Sequence, residues 1–245
     1  MEGRVKVTYI EHSGFLVETK SKYLLFDYYK GNIPQMEVNK PLYVFASHVH
    51  GDHFVTKIFD FLESNQKVHY LLSYDIKMKP GNMTKWKLSQ EALTYITSIK
   101  ACETYLIDDI KVESLKSTDA GVAFLIRTDG MTIYHAGDLN WWYWEEESKE
   151  WKNNMEANFK REINKMKDRT IDIAFMLLDS RQEEYNYLGM EYLLQKADVK
   201  YIFPMHMWGD YSGIQRFKEE KMPHIMKKEM VMMDIKEEGQ EFTLP

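Results

Sequence analysis

The chain has 245 residues, of which 44% are hydrophobic, enough to fill one large core. Its formal net charge of −6 argues against a nucleic-acid-binding surface. The single cysteine, Cys102, cannot form an internal disulfide, and the first residues lack a long apolar segment, so we expect a cytoplasmic protein that does not interact with a membrane.

Three short apolar segments predict an antiparallel meander of strands: Val5 to Ile10, Gly14 to Glu18 and Tyr23 to Tyr28. A further predicted strand, Leu42 to Phe45, leads directly into a run of histidines that begins at His48.

The run His48-Val49-His50-Gly51-Asp52-His53 has the spacing of a metal site. Residues two apart in an extended chain point to the same side, so His48 and His50 can present their imidazoles to one point. Gly51 allows a turn that carries Asp52 and His53 toward a second point nearby. The cluster therefore predicts two metal ions, the alternative being a polar surface loop.

The segment after this run predicts a helix to about Ser64, capped by Asp52, and then a strand from Lys67 to Ser73. The region from Met78 to Ser98 does not predict one element: Pro80-Gly81 is a predicted turn, and Gln90 to Ile99 fits either a helix or a strand.

Two hairpins are predicted next, Thr104–Ile107 with Ile110–Leu115 and Gly121–Arg127 with Met131–His135. Asp138 follows the second hairpin, and the aromatic run Trp141-Trp142-Tyr143-Trp144 follows Asp138. These rings either pack in the core or form the wall of a ligand pocket.

The remaining predicted elements are a helix with an apolar stripe from Trp151 to Met166, a buried strand Ile171–Leu178, a helix Met190–Ala197, a strand Tyr201–Pro204, a helix Ile214–Met222, and strands Val231–Ile235 and Gln240–Leu244. Arg181, just after the buried strand, either holds an anionic substrate group or is an ordinary surface arginine.

Three motifs at predicted strand ends resemble those of the metallo-β-lactamase superfamily: His48 to His53, Tyr134 to Asp138, and Phe203 to His206. With His12 to Val17 included, the pattern is most similar to the ascorbate-6-phosphate lactonase-like branch. The resemblance implies an α/β fold, a four-layer αββα sandwich that also fits the order of predicted elements. It would be one domain over residues 1–245, with two pseudo-symmetric halves that divide near Gly121.

The resemblance also implies a ligand set, with His48 and His50 on the first metal, Asp52, His53 and His206 on the second, and Asp138 as a bridge. The histidine expected as third ligand of the first metal is missing from Lys116-Ser117-Thr118-Asp119. We expect Asp119 to replace it, unless Asp119 only stabilises the turn before Gly121.

Two further positions carry alternatives from the same resemblance. Asp27, at the end of a predicted strand, either braces the metal loop or is a solvated or capping residue. His12 either lines the pocket or is a packed histidine.

These expectations describe a metal-dependent hydrolase that uses metal-activated water to cleave a small ester, lactone or phosphoester. Zn²⁺ is the expected ion, with Mn²⁺ or Fe²⁺ as alternatives. We expect Asp52 and Asp138 to be catalytic. We expect the small-molecule substrate to contact Trp141, Trp142, Arg181 and His12. The competing function is a metal-binding sensor or binding protein of the same fold with little or no turnover, because one histidine is missing.

Overall fold

The computed structural model describes residues 4–64, 67–225 and 229–245. The chain forms two compact units, the first made of Met1–Lys100 and Glu237–Pro245 and the second of Ala101–Lys236. The division into two halves was predicted near Gly121, whereas the two units divide between Lys100 and Ala101. That the whole chain is one domain stays a prediction.

The strands of the described residues are β1 (Val5–Glu11), β2 (Gly14–Glu18), β3 (Tyr23–Phe26), β4 (Leu42–Ala46), β5 (Val68–Ser73), β6 (Ile96–Ile99), β7 (Thr104–Ile107), β8 (Ile110–Lys116), β9 (Val122–Thr128), β10 (Met131–His135), β11 (Thr170–Leu177), β12 (Asp198–Met205), β13 (Val231–Met232) and β14 (Glu241–Leu244). The α-helices are α1 (Phe61–Ser64), α2 (Pro80–Lys85), α3 (Lys149–Ile163), α4 (Leu188–Lys196), α5 (Ser212–Glu220) and α6 (Met222–Ile225).

The first unit holds one seven-stranded mixed sheet in the order β14-β1-β2-β3-β4-β5-β6. The predicted antiparallel meander is confirmed, because β2 pairs antiparallel with both β1 and β3. From β3 to β6 the strands are parallel. Carboxyl ends of parallel strands meet at one edge of a sheet. The residues after β3 and β4, Asp27 and Ser47-His48, therefore emerge side by side.

The core of the first unit lies between one face of this sheet and the segment that follows the histidines. Phe54, Ile58 and Phe59 are buried in one apolar cluster with Val44 and Tyr70. The Tyr70 hydroxyl donates a hydrogen bond to the Ile58 carbonyl oxygen at 2.9 Å. Packing of this segment onto the sheet fixes the position of the histidine loop that precedes it.

The helix predicted in this segment is a 3₁₀ helix, Thr56–Asp60, continued by α1. Asp52 does not cap it, because Val55 is the residue before the helix and no side chain caps its first turn. That prediction was wrong because the Asp52 carboxylate turns toward His12 and His53 instead.

Three other local predictions need correction. Pro80 and Gly81 begin α2 rather than forming a turn, since the fixed φ of proline suits the first turn of a helix. The helix predicted from Ile214 to Met222 is divided between α5 and α6. The strand predicted from Val231 to Ile235 is only Val231–Met232.

The second unit holds a seven-stranded mixed sheet in the order β13-β12-β11-β10-β9-β8-β7. Both predicted hairpins are confirmed, with β7 antiparallel to β8 and β9 antiparallel to β10. β10, β11, β12 and β13 run parallel. The residues after three of these strands, Asp138, Asp179 and His206, consequently lie along one sheet edge.

Helices cover part of this sheet. α4 packs on β11 and β12, and α3 packs against α4. Phe159, Ile163 and Met166 of the predicted apolar stripe are buried, which confirms that this face belongs to the core. Among the helices of residues 4–64, 67–225 and 229–245, none combines the length and the apolar composition needed to cross a bilayer.

Candidate metal centre

The carboxylate of Asp27 organises the histidine loop of the first unit. Asp27 is fully buried and accepts hydrogen bonds from the Ser47 backbone N–H at 2.7 Å and from the Ser47 hydroxyl at 2.6 Å. It also accepts one from His53 Nδ1 at 2.8 Å. Asp27 therefore braces the loop, and the alternative of a solvated or capping aspartate is wrong.

These contacts fix the tautomers of two histidines. The carboxylate of Asp27 is an acceptor, so His53 carries its proton on Nδ1. The Ser47 hydroxyl donates its one proton to Asp27 and must accept from its other neighbour, His48 Nδ1, at 2.9 Å. In both neutral rings Nε2 therefore keeps its lone pair, which is the form of histidine that binds a metal.

His48, His50 and His53 cluster at the end of β4. The ring centroids of His48 and His50 are 4.6 Å apart, and those of His48 and His53 are 4.1 Å apart. His48 and His50 each offer a ligand atom within 4.8 Å of the other, as the alternate spacing predicts. His48 and His53 are fully buried, whereas His50 is exposed.

Asp52 lies between two imidazoles of the same unit. Its Oδ2 is 3.5 Å from His12 Nε2 and 3.9 Å from His53 Nε2. Ligands about 2.1 Å from a tetrahedral metal lie roughly 3.4 Å from one another, so these separations fit a shared ion. The neighbouring His12, with a further contribution from His53, holds the pKa of Asp52 well below its usual range despite partial burial.

His12, which was expected to contact the substrate, lies among candidate metal ligands in the first unit. One ligand atom from each of His12, Asp52 and His53 lies within 4.8 Å of the others. His12 is 2% exposed, and its ring centroid is 5.7 Å from that of His53. No spacing rule links His12 to the distant His53, so this role of His12 could not be predicted from sequence.

In the second unit Asp179 accepts a hydrogen bond from His206 Nδ1, as Asp27 does from His53 Nδ1 in the first unit. His206 Nδ1 donates to Asp179 Oδ2 at 2.9 Å, and the Asp179 side chain is fully buried. Arg181 binds the same carboxylate through Nε and Nη2. Burial raises the pKa of Asp179, but the hydrogen bonds from His206 and Arg181 outweigh it and hold that pKa well below its usual range.

Asp138 and His206 meet at the edge of the second sheet. His206 Nε2 is 3.5 Å from Asp138 Oδ1, again the separation of two ligands on one tetrahedral ion. The turn that delivers Asp138 is shaped by His135, whose Nδ1 accepts a hydrogen bond from the Gly137 N–H at 3.1 Å. His135 is thereby assigned to the turn, since it is fully buried under the strand end.

Asp119 approaches Asp138 within the same unit. The two residues each offer a carboxylate oxygen within 4.8 Å of the other. Thr118 holds the two loops together, because its hydroxyl donates to the Asn140 carbonyl at 2.6 Å and accepts from the Asn140 N–H at 3.0 Å. Asp119 is exposed, and its backbone N–H donates to the Ser117 hydroxyl at 3.1 Å.

Aromatic rings surround His206. The rings of Trp142 and Trp208 lie 5.9 Å and 5.5 Å from the His206 ring, and Trp144 stacks on Trp142 at 5.8 Å. The Arg181 guanidinium lies 4.6 Å from the centre of the Trp208 ring. Trp208 is 48% exposed, and sequence reasoning did not single it out.

Trp141 has different neighbours. Its ring lies 6.3 Å from Phe159 and 6.2 Å from Tyr192, and Lys160 Nζ lies 4.5 Å from its centre. These contacts belong to the packing of α3 and α4, so we do not retain Trp141 in the candidate substrate wall.

Several residues of the candidate site hold left-handed backbone conformations. The φ angles are 56° for His12, 40° for Asp27, 62° for His206 and 55° for Trp208. Such angles cost non-glycine residues of the order of 1 kcal/mol or more and persist where the surrounding structure enforces them. These backbone conformations are unfavourable, and they set the directions of the side chains of the candidate site.

Each unit thus presents histidine and aspartate clusters with the donor types and spacing of a divalent-metal site. The first unit offers His12, His48, His50, Asp52 and His53, and the second offers Asp119, Asp138 and His206. Imidazole and carboxylate are ligands that Zn²⁺, Mn²⁺ and Fe²⁺ accept.

The chain belongs to the β-lactamase superfamily, because residues 6–153 match the family described as the beta-lactamase superfamily domain. A UPF0173 metal-dependent hydrolase of Thermococcus kodakarensis is 30% identical over 148 residues, which are 55% of this chain and 61% of the relative. Another, from Archaeoglobus fulgidus, is 26% identical over 149 residues, 56% of this chain and 62% of the relative. The chain therefore spans about three fifths of the length of the curated relatives it matches.

Solved structures show the same fold. Igni18, a metallo hydrolase of Ignicoccus hospitalis, superposes with a TM-score of 0.63 at 16% identity over 99% of both chains. The metallo-β-lactamase fold protein YhfI of Bacillus subtilis gives 0.60 at 14% identity over 98% of this chain and 99% of its own. CmlA, a diiron β-hydroxylase of Streptomyces venezuelae, gives 0.58 at 10% identity over 99% of this chain and 54% of its own. The predicted metallo-β-lactamase fold class is confirmed.

Proposed function

We propose that this chain is a metal-dependent hydrolase that uses metal-activated water on a small ester, lactone or phosphoester. The observation that carries the proposal is the pair of buried aspartates, Asp27 and Asp179, that fix the Nδ1 protons of His53 and His206. This arrangement leaves Nε2 of each ring ready to bind a metal. The relatives from Thermococcus kodakarensis and Archaeoglobus fulgidus are named metal-dependent hydrolases, which supports the same activity.

For the ligands we propose the set expected from the sequence, extended by one residue. His48, His50 and Asp119 would hold the first metal, and Asp52, His53 and His206 the second, with Asp138 as the bridge. His12 would be a further ligand or a neighbour of the second metal, because it shares Asp52 with His53. Two Zn²⁺ ions are the proposed occupants, with Mn²⁺ or Fe²⁺ as alternatives.

The metal ions, when bound, supply an acidified water and polarise the bond under attack. Asp52 is suited to accept a hydrogen bond from the attacking water and to orient it, because its contact with His12 keeps it ionised far below neutral pH. Asp27 and Asp179 hold the protons of the two imidazoles on Nδ1 and fix the orientation of the rings. Asp138 is the second proposed catalytic carboxylate.

The substrate wall would be formed in part by Trp142 and Trp208, whose rings border His206. Arg181 was expected to hold an anionic substrate group, but its planar fork binds Asp179. We therefore propose that the main role of Arg181 is to hold Asp179, the carboxylate that orients His206. Only the exposed part of the Arg181 guanidinium would contact the substrate. A small ester, lactone or phosphoester as the substrate and a cytoplasmic location stay predictions.

The competing candidate is a metal-binding sensor of the same fold without turnover. It is motivated by Lys116-Ser117-Thr118-Asp119, where a carboxylate stands in place of the expected third histidine. A changed ligand set alters the charge of the site and the acidity of bound water, which are the properties that turnover needs.

One experiment separates the two functions. Metal content of the purified chain is measured by mass spectrometry, and hydrolysis of a panel of lactones, thioesters and phosphodiesters is followed before and after chelation and re-addition of metal. Bound metal with turnover that chelation abolishes is the expected result. Bound metal with no turnover across the panel favours the sensor, and turnover that survives complete metal removal contradicts the hydrolase proposal.

Matched histidine variants localise the activity. His48→Ala and His206→Ala should lose metal and turnover together. His224→Ala, at an exposed position in α6, should keep both.

A further inference from the structure

A cavity of about 640 Å³ lies in the second unit between α5 and the segment 183–187. Its volume falls within the range of small-molecule sites, which is about 300–1,000 Å³. The wall from α5 consists of Gly213, Arg216, Phe217 and Glu220, residues spaced to share one helix face. The histidines and aspartates of the candidate metal centre are not among the residues that line it.

Asn186 is a polar side chain buried in this wall. It is only 8% exposed, and its Nδ2 lies 3.7 Å from the position that a Cβ on Gly213 would occupy. Within the described residues its backbone N–H donates to the Glu183 carbonyl, but its side-chain amide makes no hydrogen bond. The side-chain amide of Asn186 therefore offers hydrogen-bond donors to a molecule in this cavity.

The wall carries charges of both signs that do not pair with one another. Arg216 and Lys221 are the cations, and Glu183, Glu184 and Glu220 are the anions. Glu184 raises the pKa of the neighbouring Tyr185 hydroxyl, and Lys221 Nζ lies 3.7 Å from the centre of the Tyr187 ring. Among residues 4–64, 67–225 and 229–245, no carboxylate lies within 4.0 Å of the charged nitrogens of Arg216 or Lys221.

This distribution limits the ligand. A simple anion would meet three carboxylates, and a metal cation would meet a guanidinium and an ammonium, so each is opposed by like charge. A molecule with a carboxylate and an ammonium can satisfy both sets at once. Phe217, Tyr185 and Tyr187 supply apolar ring surface for a side chain.

We propose that this cavity binds a small zwitterion of the amino-acid or dipeptide type, with its carboxylate toward Arg216 and Asn186 and its ammonium toward the glutamates. The cavity begins four residues after Asp179, the brace of His206, along the segment 180–187. The proposal concerns binding and does not depend on the hydrolase activity.

The test is calorimetric titration of the purified chain with L-alanyl-L-phenylalanine and with three blocked forms of it, the N-acetyl peptide, the peptide amide and the doubly blocked peptide. We expect saturable binding of the zwitterion and binding about tenfold weaker or worse for each blocked form, since each loses one charged contact. Absence of saturable binding of the zwitterion overturns the proposal. Equal binding of the N-acetyl peptide overturns the assignment to a zwitterion.

Variants locate the binding. Arg216→Gln, at an exposed position, should weaken binding of the zwitterion about tenfold, and Asn186→Ala should weaken it as well. Arg127→Gln, an exposed arginine on β9, is the matched control and should bind like the wild type. Binding that is unchanged in Arg216→Gln lies elsewhere, for example at metal ions, and overturns the proposal even if Asn186→Ala fails to fold.

Discussion

His206 Nδ1 lies 2.9 Å from the buried carboxylate of Asp179, and His53 Nδ1 lies 2.8 Å from that of Asp27. Each aspartate follows a strand whose neighbour along the sheet, parallel to it, leads to the histidine: β3 beside β4 in the first unit and β11 beside β12 in the second. In both units, an aspartate at the end of one strand therefore orients a histidine that follows the neighbouring parallel strand.

The first prediction concerns this arrangement in the second unit. Asp179→Asn keeps the shape of the side chain but removes the charge that holds the His206 proton on Nδ1. Metal affinity should fall about 10- to 100-fold, as is typical when the partner of a ligating histidine is lost. Competition titration with a chromophoric chelator measures the change.

Asp198→Asn is the control for this variant, because Asp198 is an exposed aspartate on β12. It should leave metal affinity unchanged. An affinity of Asp179→Asn equal to that of the control would show that the contact with Asp179 does not support metal binding.

A second prediction follows from the lowered pKa of Asp179. A carboxyl whose folded-state pKa lies below its unfolded value of about 3.9 adds stability above that pH, and the contribution is lost as pH falls through the folded pKa. In the presence of a chelator, the thermal midpoint of the wild type should therefore fall more steeply below about pH 4 than that of Asp179→Asn, which does not titrate. Parallel curves from pH 7 to 2.5 would contradict this.

The third prediction concerns Asp119, the proposed substitute for the missing histidine. Asp119→Ala should lose about one metal per chain while its circular dichroism spectrum and thermal midpoint stay close to wild type, because Asp119 is exposed. Metal content by mass spectrometry checks it, with Asp198→Ala as the matched control. Unchanged stoichiometry and affinity would assign Asp119 to the turn before Gly121.

A fourth prediction concerns the rings beside His206. Trp208→Ala and Trp142→Ala should each lower kcat/KM for a substrate found in the hydrolysis panel by roughly 2- to 10-fold, the loss expected for one aromatic contact. Tyr95→Ala removes an aromatic ring of the first unit that is 36% exposed and should not alter the kinetics. Wild-type kcat/KM in both tryptophan variants would leave these rings a packing role only.

The fifth prediction concerns the support of the Asp138 loop. A Cβ on Gly189 of α4 would lie 2.1 Å from Asn140 Oδ1 and 3.2 Å from the Trp141 backbone nitrogen. Gly189→Ala should therefore lower the free energy of unfolding by about 1–3 kcal/mol, as overpacking in a closed site does.

Denaturant unfolding measures this change, and Gly81→Ala is the control. Gly81 lies in α2 with nothing within 4 Å of its added Cβ. Alanine there should leave stability unchanged or raise it by up to about 1 kcal/mol. Equal stabilities of the two variants would contradict the proposed close contact.

Strand positions were predictable because their signals are local. β2 and β7 match the predicted bounds, since alternating or continuous apolar residues end at polar turns. The hairpin at Asp129-Gly130 was predictable for the same reason, because both residues adopt the positive φ that this dipeptide favours.

The braces of the site were harder to predict from sequence. Ser47 and Asp179 act through contacts with residues made close only by parallel strand pairing, and Trp208 becomes a neighbour of His206 through a left-handed turn. Neither periodicity nor composition encodes which strand ends become adjacent. The prediction that Asp52 caps the helix failed for the same reason, because its carboxylate lies 3.5 Å from Nε2 of His12, a residue in the distant turn between β1 and β2.

β14 completes the first sheet by pairing with β1, with Leu244 opposite Val5. Every residue of the second unit lies between β6 and β14 in the chain. During synthesis the ribosome must therefore emit the whole second unit before the open edge of β1 gains its partner. The unit that carries the histidine loop is therefore begun first and completed last, since its final strand is synthesised after Asp138 and His206.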